Sequence, residues 1–213
     1  RFGTSAAGLT AAQLSLFQFT DFGGAAGQID SNGFVTAATN VVNSGSGNVA
    51  NASNITGTQT VTQSGTGSLT LTGTNTSTGL ATATQGTLTI GTSAGGNWNG
   101  DVSVSGSGTL TGQGTITGSV TVNSGGTYSP GSTIGTQSVG SLNVNSGGAV
   151  VIQIDGNNTG NGAGSYDKIV STGAITLNGG TLTGSSSFTG STGFTPKFGS
   201  KFTIATGSSV TGK

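Results

Sequence analysis

The sequence predicts an all-β protein, a single-stranded parallel β-helix (solenoid), and three observations carry that prediction. Val, Ile, Leu and Ala alternate with Thr and Ser in short runs, which is the period of a pleated strand. Gly-rich corners separate these runs, with 43 Gly among 213 residues. In the middle third, apolar positions recur every six residues, and six is one side of a three-sided coil that closes in about 18.

Composition narrows the chemistry. Gly, Ser and Thr make up about half the chain, and charged residues only 5%. An average globular domain carries roughly 25%. With no Cys, His, Met or Glu, the chain has no thiolate nucleophile, no Ser-His-Asp triad and no ordinary zinc or copper site. Five positive charges balance five negative ones, so no basic surface is expected to meet nucleic acid. No apolar run reaches the 18 residues of a spanning helix. Disorder is disfavoured by the 31% of apolar residues and by having only two Pro, because the branched side chains that dominate favour pleated surfaces. The lack of Cys and Met suits an extracellular setting, and a chain opening at Arg1 without an apolar leader reads as a mature or excised segment.

Residues 1–40 are expected to form an N-terminal cap or inter-subunit segment. Here Leu9 to Phe17 predicts a short helix, capped by Thr10, with Leu14 and Phe17 on one face. Residues 41–190 are expected to form the coil. Gly67-Ser-Leu-Thr-Leu-Thr-Gly73, Gly86-Thr-Leu-Thr-Ile-Gly91, Asp101-Val-Ser-Val-Ser-Gly106 and Ser141-Leu-Asn-Val-Asn-Ser-Gly147 each place two apolar residues on one face. The core ladder is expected at Val104, Leu110, Ile116, Val122, Tyr128 and Ile134, with Ile152 a further 18 residues on. Residues 191–213 are expected to form a closing strand containing Phe and Lys.

The stretch Gly108-Thr-Leu-Thr-Gly-Gln-Gly-Thr-Ile-Thr-Gly through Gly125-Gly-Thr-Tyr-Ser-Pro-Gly-Ser-Thr-Ile-Gly135 resembles the autotransporter-associated β-strand repeat of bacterial surface proteins. Ser165-Tyr-Asp-Lys-Ile-Val through Gly179-Gly-Thr-Leu182 is similar to the segment that follows that motif in the family. The likeness covers about residues 86–212. Residues 1–35 are similar to a closing segment of such proteins, standing here at the beginning. The resemblance implies a right-handed parallel β-helix on the bacterial cell surface or outside the cell, without an enzymatic site.

Four candidate sites follow from the residues. Asp155 and Asp167 flank a Gly/Asn-rich stretch with a weak likeness to Ca²⁺-binding repeats, which a long surface turn with Asp and Asn bonded to local backbone explains better. The five Asp are scattered, so no carboxylate pair is expected to do acid–base work and no cofactor is implied. Thr-x-Thr recurs at Thr60, Thr70, Thr82, Thr87, Thr109, Thr115 and Thr181. Stacked on one face it would make a hydroxyl-and-methyl grid like the ice-binding faces of some β-solenoids. Ordinary strand alternation, with Thr as the outward residue where charges are scarce, explains it better, and the irregular spacing distributes it over several faces. Asn-x-Ser/Thr triplets carry no weight in so Ser- and Thr-rich a chain.

The fourth candidate is the pair of ends. All nine Phe lie there: Phe2, Phe17, Phe19, Phe22 and Phe34 at one, Phe188, Phe194, Phe198 and Phe202 at the other. Aromatic plugs can cap a coil. Complementary ends can instead join copies head to tail. The functional expectation is a structural, non-enzymatic subunit that associates with copies of itself through Phe2, Phe17, Phe19, Phe22, Phe34, Phe194, Phe198 and Phe202. The alternative is a monomeric adhesin that binds surface carbohydrate along one face of the coil.

Overall fold

The computed structural model describes residues 25–26, 41–93, 95–131, 133–185 and 194–212. Among these every regular element is a strand. Seventeen strands join in one sheet that is parallel except where Ala25–Ala26 lies antiparallel to Val41–Asn43. The expected helix from Leu9 to Phe17 lies outside the described residues, as do all five N-terminal Phe and Phe188.

Register resolves the sheet into three parallel ladders that the chain visits in rotation. In the first, Val41, Val61, Ala81, Val102, Val120, Leu142, Ile175 and Val210 stand in one column. The second runs from Asn48–Asn51 through Ser68–Leu71, the ends of Ala81–Ile90 and Val102–Gly112, and Thr127–Pro130 to Ala149–Gln153 and Thr181–Ser185. The third joins Asn97–Trp98, Thr115–Val122, Thr136–Asn145, Lys168–Ser171 and Ala205–Thr206. This connectivity fits a β-helix-like fold. Eight rungs at about 4.8 Å give a stack of roughly 35–40 Å.

Alternation sets which side chains face inward. Leu69, Leu88, Leu110 and Tyr128 are register partners and fully buried, and so are Val104 and Val122. Trp98, opposite Ile116, is buried as well, and its Nε1 donates to the Asp101 carbonyl at 3.3 Å. Corners turn at glycines. Gly125 has φ +77°, and a Cβ there would lie 2.0 Å from the Gly106 carbonyl oxygen of the preceding turn.

The uniform 18-residue turn expected from the six-residue period holds only in the middle. Trp98–Ile116, Val102–Val120 and Leu110–Tyr128 are each 18 apart. Val41–Val61 and Val61–Ala81 are 20 apart, Val120–Leu142 is 22 and Leu142–Ile175 is 33. Consequently Ile134 and Ile152 do not stack on each other. Ile134 sits at a corner, its carbonyl accepting from Gly162 N at 3.0 Å, whereas Ile152 is a strand residue opposite Gly184. The chain between them lengthens the turn, so equal spacing in sequence no longer means equal position on the coil.

Candidate functional site

The late turns carry the two sites that the sequence singled out. In the first, Asp155 and Asp167 bound an excursion in which Asn158–Thr159 pairs in parallel with Ser165–Tyr166. Its tip is exposed, but the two carboxylates are not surface groups: Asp155 is 4% exposed and Asp167 is fully buried. Asp167 Oδ1 accepts from Gly135 N at 2.9 Å and Oδ2 from Gln153 N at 2.8 Å, tying the base of the excursion to two other segments. Asp155 Oδ2 accepts from Gly164 N at 3.2 Å. Burial pushes the Asp167 pKa up to about 7, with the two backbone donors pulling the other way. Burial, then the Asp167 charge, drive the Tyr128 hydroxyl far above its ordinary value. Among the described residues no three acidic side chains gather into a metal-binding cluster. The Asp155–Asp167 pair is a latch built on backbone donors.

The second site is the C-terminal end of the sheet. Leu182 continues the inward column of Val150, and Val210 that of Ile175, but no described rung lies beyond them. They are therefore 49% and 57% exposed, although Val150 and Ile175 are buried. Together with Leu142, Ile152, Leu177, Phe202 and Ile204 they line an apolar cleft of about 400 Å³. Among the described residues, Thr181–Ser185, Ala205–Thr206 and Ser209–Gly212 each pair on one side only, which leaves a row of backbone donors and acceptors around that cleft.

The C-terminal aromatics divide between this end and solvent. Phe202 packs edge-to-face on Tyr166 at 5.3 Å and on Phe194 at 6.3 Å. Phe198 is fully exposed. At the other end, Val41–Asn43 carries the short antiparallel strand, and Asn48–Asn51 pairs only with Ser68–Leu71 among the described residues.

The Thr-x-Thr motifs do fall on several faces, as their spacing implies, but four of them share one. On the second ladder, Ser68, Thr87, Thr109 and Thr127 form one outward column, and Thr70, Thr89, Thr111 and Ser129 the next, in which Thr89 is buried and the Thr111 hydroxyl donates to Gly131 O. Thr181 and Thr183 extend both columns beyond Ala149 and Val151. Thr62 and Thr82 stack on the first ladder, and Thr115 lies on the third.

Sequence reasoning missed a polar part of the interior. Asn43, Gln63 and Gln137 are fully buried. Asn43 Nδ2 donates to Gly47 O and Ser68 O, Gln63 Nε2 to Gly65 O and Gly67 O, and Gln137 Nε2 to Ile90 O. The signal was available in the alternation: Asn43 and Gln63 share a column with Ala83, Val104 and Val122. No protein-family model matches this chain, and no curated protein matches it.

Proposed function

We propose that this chain is a right-handed, single-stranded β-helix that serves as a structural, non-catalytic subunit outside a bacterial cell, joining copies of itself end to end. The observation that carries the reading is the C-terminal end, where an apolar cleft opens among strands that pair on one side only among the described residues. A second copy presenting Asn48–Asn51, which pairs on one side only among the described residues, would cover Leu182 and extend the second ladder, with Val210 beside it in the joint. A net charge of zero offers no repulsion to such stacking. The Phe-rich segment of residues 1–40 would accompany those rungs into the joint. The bacterial surface setting rests on the resemblance to the autotransporter-associated repeat and on the composition.

The test is electron microscopy and sedimentation of native protein over a concentration series, beside Leu182→Lys and Val210→Lys. Fibres with an axial repeat near the length of one coil, about 40 Å, are expected for the wild type. Both variants should remain short rods with unchanged far-UV circular dichroism. A wild type that stays monomeric at every concentration refutes end-to-end joining and turns attention to carbohydrate on the lateral faces.

A further inference from the structure

We propose that the outer face of the second ladder is an ice-binding surface. This surface is a lateral face, independent of how the ends associate.

Across four consecutive rungs, from Ser68–Leu71 to Thr127–Pro130, both columns hold a hydroxyl-bearing residue at every position, and the register is unbroken. Thr89 is buried and the Thr111 hydroxyl donates to Gly131 O, so the column that is buried at no rung is Ser68, Thr87, Thr109 and Thr127, flanked by Thr70 and Ser129. Rungs lie about 4.8 Å apart, and alternate residues along a strand about 6.7 Å apart. These two repeats are close to the oxygen spacings on a prism plane of ice. Thr suits such a surface because it offers one hydroxyl that can join a water lattice and one methyl that cannot compete for it. Its branched Cβ also restricts χ1, so neighbouring groups repeat in orientation. Backbone carbonyls reinforce this at the far end of the ladder, where Thr181 Oγ1 donates to Gly148 O at 3.2 Å and Thr183 Oγ1 to Val150 O at 3.3 Å.

The first ladder carries a single hydroxyl column, Thr62, Thr82, Ser103 and Thr121, which Asn143 ends, and the third carries Lys168. The second ladder's strands contain no charged residue. Nor do they present an aromatic ring, because Tyr128 points inward and is fully buried. A sugar-stacking surface would need such rings, so ice is the better fit for this geometry.

The experiment measures thermal hysteresis and ice-crystal shape with the purified full-length chain. Thr109→Lys places a charge in the centre of the grid, and Thr121→Lys places the same charge on the first ladder as a control. Far-UV circular dichroism and the urea midpoint verify that each variant folds. Faceted crystals and a hysteresis gap are expected for the wild type and Thr121→Lys, with the gap lost in Thr109→Lys. Unshaped crystals growing at the buffer rate with wild type overturn the proposal. Equal loss in both variants overturns it too, as does retention of chitin or cellulose by the wild type without any effect on ice.

Discussion

Two glycines isolate what close stacking of turns contributes to stability. Gly57 has φ +72° and Gly125 φ +77°, so alanine meets nearly the same backbone penalty at either position. A single residue with a Cβ in that region costs about 1–2 kcal/mol. Around Gly57 nothing lies within 4 Å of a built Cβ, and the penalty should end there. At Gly125 the Cβ would overlap the Gly106 carbonyl oxygen at 2.0 Å, and that oxygen belongs to the backbone. Relief requires the turns to part, straining the bonds from Gly125 N to Gly147 O at 2.8 Å and from Gly106 N to Ser124 O at 3.0 Å. Overpacking of this kind adds about 1–3 kcal/mol, and a weakened backbone bond about 1 kcal/mol. Gly125→Ala should therefore lose about 4 kcal/mol where Gly57→Ala loses about 1–2 kcal/mol. Urea unfolding followed by far-UV circular dichroism measures both, provided the slopes of the two variants agree. Equal losses would mean that the corners are not in the close contact from which this difference is derived.

Two further predictions concern the interior. Asp167 is held protonated by burial up to about pH 7 in the folded chain, whereas its unfolded value is 3.8. The folded state thus binds more protons between those values, so stability should be greatest below about pH 4, fall as pH rises to about 7 and level off above. Urea midpoints across that range check the sign, and Asp167→Asn should flatten the slope; stability rising from pH 4 to 7 would contradict the burial argument. Leu110→Ala removes a fully buried side chain placed between Leu88 and Tyr128 and should cost about 2–5 kcal/mol. Thr121→Ala, on an outward position, should cost less than about 0.5 kcal/mol in the same assay.

The strands were legible because each side chain's face follows from a period of two, and Val102-Ser-Val104 or Thr109-Leu-Thr111 needs no wider context to be read. Turn length was not, since it depends on how much chain the corners hold. Trp98 to Ile116 closes in 18 residues, whereas the Asp155–Asp167 excursion stretches Leu142 to Ile175 to 33. A strict six-residue count therefore placed Val104, Leu110 and Tyr128 correctly and misplaced Ile134 against Ile152. The burial of Asp167 was hidden for a related reason. A Gly/Asn-rich stretch predicts an exposed turn, and its tip is one. What buries the carboxylate is the pair of donors at Gly135 and Gln153, which are distant in sequence and meet only through register. Asn43 and Gln63 were not singled out in the sequence, although their phase relative to Val41 and Val61 is inward. Alternation was the better guide there, because corner carbonyls accept from the buried amide nitrogens.

The polarity of the interior bears on how copies could join. Along the second inward column of the first ladder, the early rungs carry Asn43, Gln63 and Ala83, and the later ones Val104, Val122, Val144 and Leu177. This column is thus polar or small at its early end, where its amides are hydrogen-bonded to their own corners, and aliphatic at its late end, whereas Val41, Val61 and Leu69 keep the neighbouring early columns apolar. Joining two C-terminal ends would bring together like apolar clefts, but their strands would run in opposite directions around the joint, against the parallel register of every ladder. Joining two N-terminal ends would set Asn43 against its counterpart with its amide already committed to Gly47 and Ser68. Only unlike ends allow parallel pairing across the joint, and they do so on the second ladder, because Val41–Asn43 already carries the antiparallel Ala25–Ala26 strand. A heterologous contact of that sort uses two different surfaces, leaves one of each free, and does not close. The proposed assembly should accordingly grow without a fixed size, and blocking Leu182 and Val210 on a minority of subunits should shorten fibres in proportion to their share, because each blocked copy can still add to an end but cannot be added to.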